Sequence, residues 1–181
     1  GYESMTADYV RTGAVQSLDA YMRDPEIGFS EAEIDDFFPA VLATNRYGQF
    51  DGAYYSFPFC KSVLVLYFNK RVLKEAGFEG APATWDAFLE QSRALRAKTG
   101  KYAYAASVDC STINGMIYSR GGTIIEGIET QYDSPESIAT FEFLETLAKE
   151  KLAYQITPGT YDDRDAFAQD KSAFFFRSSV H

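Results

Sequence analysis

Apolar and polar positions change rhythm most sharply between Asp51 and Lys70. The turn pair Asp51-Gly52 leads into a short aromatic strand that Pro58 interrupts. The small polar step Cys60-Lys61-Ser62 follows, and then a nearly continuous apolar run, Val63 to Phe68. Proline inside a strand removes a ladder donor, so the chain is expected to leave one sheet here and enter another. An unbroken Val/Leu/Tyr/Phe run predicts a strand covered on both faces, the habit of parallel sheets in α/β proteins. Lys61 and Ser62 would then sit at a crossing between sheets, a natural place for a ligand cleft.

The rest of the pattern is helical, with intervening strands. Residues 1–6 read as a strand end and loop, with Thr6 capping a helix over 7–12 that Gly13 stops. Ser30 and Glu33 have the spacing of a capping box for a helix over 32–43. Ile34, Phe37, Phe38 and Val41 form its inner face, and Pro39 breaks or kinks it. A helix over 70–76 ends at Gly77, and Thr84 caps another over 85–99. Phe88, Leu89, Ser92 and Leu95 mark the inner face of that second helix, with Trp85 as packing. Residues 102–108 form a small-residue strand, and Asp109-Cys110-Ser111-Thr112 a polar loop before a helix over 113–120. Ligands in α/β folds meet the carboxyl ends of strands, and this loop is such an end. A short strand over 123–125 follows. Ser134 caps a helix over 136–151 with Pro135 at its first position, and Ile138, Phe141, Leu144, Leu147 and Leu152 face inward. Residues 172–176 form a buried strand.

Asp162-Asp163-Arg164-Asp165 admits two readings. As paired carboxylates it would suggest glycoside hydrolysis. As the solvated start of a helix over 165–169 it places acids at the positive end of the helix dipole, and this reading is preferred.

Composition narrows the function classes. The 181 residues are 46% hydrophobic and 16% aromatic, which fits a folded domain or parts of two. A net charge of −9 without a Lys/Arg cluster argues against nucleic-acid binding. No apolar run has the length of a membrane span. Cys60 and Cys110 lack metal-ligand spacing, and the one histidine is His181, so no metal or other cofactor is expected. The two thiols are expected either to pair in an oxidising compartment or to remain free and buried.

Several segments, taken in order, resemble one family. They are Pro58-Phe59 with Ser62, Val65 to Lys70, Leu73-Lys74-Glu75-Ala76-Gly77-Phe78, and Pro82-Ala83-Thr84-Trp85-Asp86-Ala87-Phe88-Leu89. Gly121-Gly122, Tyr132 to Glu136, Ala166-Phe167 and Lys171 to Phe174 continue the same order. The chain resembles the extracellular solute-binding proteins of bacterial ABC importers, in particular the sugar and glycerol-3-phosphate-binding branch.

The resemblance implies an α/β fold of the periplasmic-binding-protein type (type II), with two lobes. It further implies a fragment: residues 1–62 as part of the first lobe and crossover, 63–176 as the second lobe, and 177–181 as the return. The implied function is capture of a carbohydrate or polyol phosphate between lobes, without catalysis. Delivery would be to a membrane permease, outside the cytoplasm, in the periplasm or anchored at the cell surface. The implied ligand-binding residues are Glu3, Ser4, Lys61, Ser62, Asp109, Ser111, Ser178 and Ser179. Asp109 and Ser111 stand where the family often has aromatic side chains. Asp170 stands where it often has glycine, and Asp tolerates a tight turn. The alternatives are a glycoside-processing enzyme and a ligand-sensing receptor domain.

Overall fold

The computed structural model describes residues 3–180, without the side chain of Glu3. The chain divides into two compact units, Gly1–Lys61 and Ser62–His181.

The first unit carries helices α1 (Glu3–Arg11), α2 (Asp19–Met22), α3 (Glu31–Asp35) and α4 (Pro39–Ala43). A small antiparallel hairpin follows, β1 (Arg46–Tyr47) and β2 (Ala53–Tyr54). The expected strand end before Thr6 is a helix instead, and Thr6 lies buried within α1 rather than capping it. The capping box is formed as predicted: Glu33 N–H donates to Ser30 Oγ at 3.3 Å, and Ser30 N–H donates to Glu33 Oε2 at 2.8 Å. Pro39 splits the expected long helix in two by taking the first position of α4. That split turns the predicted inner face apart. Phe38 is 79% exposed, while Phe37 packs edge-on against Phe29 and Phe57.

The second unit is built on a four-stranded sheet. Its elements are β3 (Leu64–Phe68), α5 (Lys70–Ala76), α6 (Trp85–Thr99), β4 (Tyr104–Ala106) and α7 (Cys110–Ser119). The hairpin β5 (Ile125–Glu126)–β6 (Glu129–Thr130), α8 (Pro135–Lys149), β7 (Ala153–Gln155), α9 (Asp162–Ala168) and β8 (Phe174–Ser178) follow. The sheet order is β3-β8-β4-β7, with β4 parallel to both β7 and β8. β3 runs antiparallel to β8 at the sheet edge and its residues are half-buried. The expectation of a parallel strand covered on both faces is therefore wrong for Val63 to Phe68. Its apolar side chains serve an edge position, where Tyr67 stacks on its register partner Phe175 with centroids 4.6 Å apart.

Helix ends in this unit follow local chemistry. Asn69 accepts from the N–H groups of Arg71 and Val72, and Gly77 ends α5 at φ 93°. Thr84 and Ser134 cap α6 and α8. Asp170, at φ 56°, accepts hydrogen bonds from Asn69 and Arg71 and so links the turn before β8 to the start of α5. The core gathers Leu73, Phe88, Leu95, Tyr104, Leu147 and Phe174. On α8 the predicted inward face is displaced. Ile138 and Phe141 are 48% and 46% exposed, whereas Ser137, Thr140, Phe143 and Leu147 are buried. The small hydroxyls Ser137 and Thr140 satisfy themselves on the Gln131 and Glu136 carbonyls, which lets a polar pair occupy a packed face. Of the strand expected over 123–125 only Ile125 is strand, at the start of the β5–β6 hairpin.

Candidate ligand-binding site

Topology places the site. β4, β7 and β8 run parallel, so their carboxyl ends lie on one side of the sheet, and antiparallel β3 brings its amino end, Ser62 to Leu64, to that side. Open α/β sheets present their ligand crevices at such strand ends. Two adjoining recesses occur there. One, of about 330 Å³, is lined by Ser62, Val63, Leu64, Asp109, Ser111, Thr112, Phe176, Arg177 and Ser178. The other, of about 350 Å³, shares Asp109, Ser111 and Arg177 and adds Ser107, Gln155 and the turn at Pro158-Gly159.

Asp109 is the N-cap of α7. Its Oδ1 accepts from the Thr112 N–H at 2.9 Å, and Oδ2 accepts from the hydroxyls of Ser107 and Thr112. Burial opposes ionisation here, but the Ser107 and Thr112 hydrogen bonds, with Arg177 nearby, outweigh it and hold the carboxyl below its ordinary value. The predicted polar loop over 109–112 is thus the first turn of a helix, with Asp109 as its cap and Ser111 inside it.

Arg177, which sequence reasoning did not nominate, is the central cation. Its Nε and Nη2 donate to the two carboxylate oxygens of Asp163 at 2.7 and 3.1 Å, and Nη2 also donates to the Thr160 carbonyl at 2.9 Å. The Tyr161 ring lies 5.2 Å from the guanidinium carbon. Hydrogen bonding to Asp163 raises the Arg177 pKa further, so the group stays charged. Asp163 has no exposed surface. The reading of 162–165 as a purely solvated helix start is corrected at this residue: one acid of the run is the buried partner of a cleft arginine. The only sequence signal was an acid in α9 and a basic residue ending an apolar strand, and nothing in their spacing marked them as a pair.

Four of the proposed ligand-binding residues, Ser62, Asp109, Ser111 and Ser178, line one recess. Ser179 is tied to the sheet edge: its N–H donates to the Val63 carbonyl at 2.8 Å, and its hydroxyl accepts from the Val63 N–H at 3.2 Å. Ser4 is an exposed residue of α1, and exposed Lys61 ends the first unit. Both belong to the first unit, whereas both recesses belong to the second. The Glu3 side chain lies outside the described residues. Cys60 and Cys110 are free and exposed, which corrects the burial expected of them. Among the described residues no cluster of metal-ligating side chains occurs, and no helix is long and apolar enough to cross a membrane.

Trp85 packs beside this region, as predicted. It meets Phe143 at 5.0 Å, and its indole N–H donates to Ser119. The Arg120 guanidinium lies 4.5 Å from its ring.

Residues 3–180 match the family described as bacterial extracellular solute-binding protein. The chain belongs to that family. The sn-glycerol-3-phosphate-binding periplasmic protein of Salmonella typhimurium is 28% identical over 159 residues, 82% of this chain and 35% of that protein. The arabinooligosaccharide-binding protein of Halalkalibacterium halodurans is 29% identical over 142 residues, 77% of this chain and 31% of that protein. The chain thus spans about a third of the length of these relatives. Among solved structures, the GacH receptor of Streptomyces glaucescens superimposes with a TM-score of 0.77 at 20% identity, over 97% of this chain and 44% of that one. UgpB from Mycobacterium tuberculosis, solved with glycerophosphocholine, gives 0.75 at 20% identity, over 96% and 44%. The fold is that of the two-lobe solute-binding proteins, and this family's named members are binding proteins.

Proposed function

We propose that the protein containing this chain is the solute-capturing component of an ABC importer. It takes up a carbohydrate or polyol phosphate outside the cytoplasm and presents it to a membrane permease. The observation that carries the reading is the convergence of Ser62, Asp109, Ser111, Arg177 and Ser178 at the strand ends of the second unit. Hydroxyls that both donate and accept, together with a fixed cation and a fixed anion, suit a ligand dense in oxygen. Closure of two lobes around such a ligand is the usual switch in binding proteins of this architecture. The relatives' names, glycerol phosphate in one case and arabinooligosaccharide in the other, support the ligand class. Catalysis is disfavoured by the fate of the acids. Asp163 is sequestered by Arg177, and Asp109 is engaged as a helix cap, so neither is poised as a general acid.

The test is a thermal-shift screen of the full-length protein with neutral sugars and glycerol phosphates, followed by product analysis. A ligand that binds only the folded form raises the melting temperature by mass action. A rise with unchanged ligand supports capture. Conversion of the ligand would make the protein an enzyme, and no rise with either panel would remove the proposed ligand class.

A further inference from the structure

The N-terminus of α7 opens onto both recesses, and a helix N-terminus ordinarily favours a bound anion. Here the protein's own carboxylate fills that place. Asp109 accepts from the Thr112 N–H and is steadied by the Ser107 and Thr112 hydroxyls. Among the residues lining the two recesses, the charged ones are Asp109 and Arg177. The Arg177 guanidinium fork, which would grip a phosphate through two parallel bonds, is already engaged by buried Asp163. Counted together, Asp109, Asp163 and Arg177 leave this wall with one net negative charge. What it does offer is hydroxyl chemistry, from Ser62, Ser111 and Ser178. Each hydroxyl donates one hydrogen bond and accepts others, and the ionised Asp109 oxygens accept from further donors.

We propose that Asp109 is the specificity-determining residue of this wall. It excludes anions, so the part of the ligand that meets the second unit is an uncharged, polyhydroxylated group, as in a neutral oligosaccharide. This rests on the solute-capture reading and narrows its ligand class. Asp109 repels a phosphate placed in either recess at short range. Arg177 orients hydroxyls as a charge-compensated donor and does not act as an anion receptor.

The experiment is isothermal titration calorimetry on the full-length protein, wild type and Asp109→Asn. The probes are maltotriose, arabinotriose, cellobiose, sn-glycerol 3-phosphate and inorganic phosphate. Asparagine caps helices as well as aspartate does, so the variant keeps α7 while losing the charge. Should it nevertheless unfold, Asp109→Ser retains the cap with a different side chain. The expected result is binding of at least one neutral saccharide by the wild type, with measurably weaker binding of both phosphate probes. In the variant, affinity for the phosphates rises by about tenfold or more relative to the saccharide. Tighter wild-type binding of glycerol phosphate than of any saccharide overturns this inference and leaves solute capture standing. An unchanged phosphate-to-saccharide ratio in the variant overturns the role of Asp109. Silence towards all five probes removes the capture of these ligand classes, and this inference with it.

Discussion

Arg177 at the end of β8 and Asp163 in α9 form a two-bond ion pair in which Asp163 has no exposed surface and Arg177 keeps 20% of its side chain exposed. Removing the arginine alone leaves a carboxylate buried without its cation. Breaking a buried pair from one side typically costs about 3–5 kcal/mol. Arg177→Ala is therefore expected to lower unfolding stability by about that amount in urea titration. The double variant Asp163→Asn/Arg177→Gln, which removes both charges, is expected to lose clearly less than the sum of its single variants. Additive losses would mean that the two residues act independently.

This pair also shows where sequence reading stopped. Caps and turns were legible because their signals are local. Ser30 with Glu33, Thr84, Ser134 and Gly77 all act within a few residues. Most of the order of strands and helices in the second unit was legible for the same reason, but the edge strand β7 was not anticipated. Strand direction was not, because the apolar run Val63 to Phe68 has the same pattern whether it pairs parallel or antiparallel, and only its partner β8 decides. The inward face of α8 was misjudged because buried Ser137 and Thr140 read as polar, while exposed Ile138 and Phe141 read as core. Within the site, Ser62, Asp109, Ser111 and Ser178 were nominated through family resemblance, and the topology brings them together. Arg177 was missed because a lone arginine after a strand carries no local mark of its buried partner.

Tyr104 carries an unusual burden in the core. Its ring packs edge-on against Phe88 and Phe176, at centroid distances of 5.8 and 5.7 Å. Its hydroxyl is buried and finds no hydrogen-bond partner among the described residues. Burial, then the nearby charge of Asp109, pushes the phenol pKa upward. An unsatisfied buried hydroxyl is costly, and replacing it by hydrogen preserves the ring packing. Tyr104→Phe is expected to leave stability unchanged or raise it by up to about 1 kcal/mol in thermal unfolding. A clear loss of stability would show that the hydroxyl has a partner that matters.

Gly115 lets α7 approach β3 closely. A Cβ at this position would come within 2.6 Å of Leu64 Cδ2, and Leu64 lines the recess with Ser62 and Arg177. The contact is with the end of a flexible side chain, so Leu64 can swing, and alanine gains about 1 kcal/mol of helix propensity over glycine. Gly115→Ala is expected to keep the melting temperature within a few degrees while Leu64 narrows the recess. Ligand affinity measured by calorimetry would fall by about tenfold, or ~1.4 kcal/mol. A fall in melting temperature without a change in affinity would place the effect in packing alone.

Ser62 offers the complementary control on the same wall. It is exposed and lines the recess, so its hydroxyl can be removed without opening a core cavity. Ser62→Ala is expected to weaken ligand binding by about threefold to tenfold, the worth of one hydrogen bond, with the melting temperature of the free protein unchanged. Lost folding would instead make Ser62 a structural residue of the β3 entry.

Asp109 makes the stability of the second unit depend on acid in a predictable direction. Burial raises its pKa and the hydrogen bonds from Ser107 and Thr112 lower it, with a net folded value below the ordinary carboxyl range. In the unfolded chain the group titrates near its ordinary value of about 3.9. Its contribution is therefore fully present above that value, declines as pH falls through the range between the unfolded and folded values, and vanishes below the folded one. Asp109→Asn keeps a capping side chain but has no proton to take up. The stability difference between wild type and this variant is thus expected to stay level from pH 7 down to about 5 and to shrink as pH falls on towards 3, with urea midpoints compared at each pH so that all other acids cancel. A difference that stays constant across this range would mean that the carboxylate charge does not stabilise α7, and that its place at the helix terminus is set by hydrogen bonding alone.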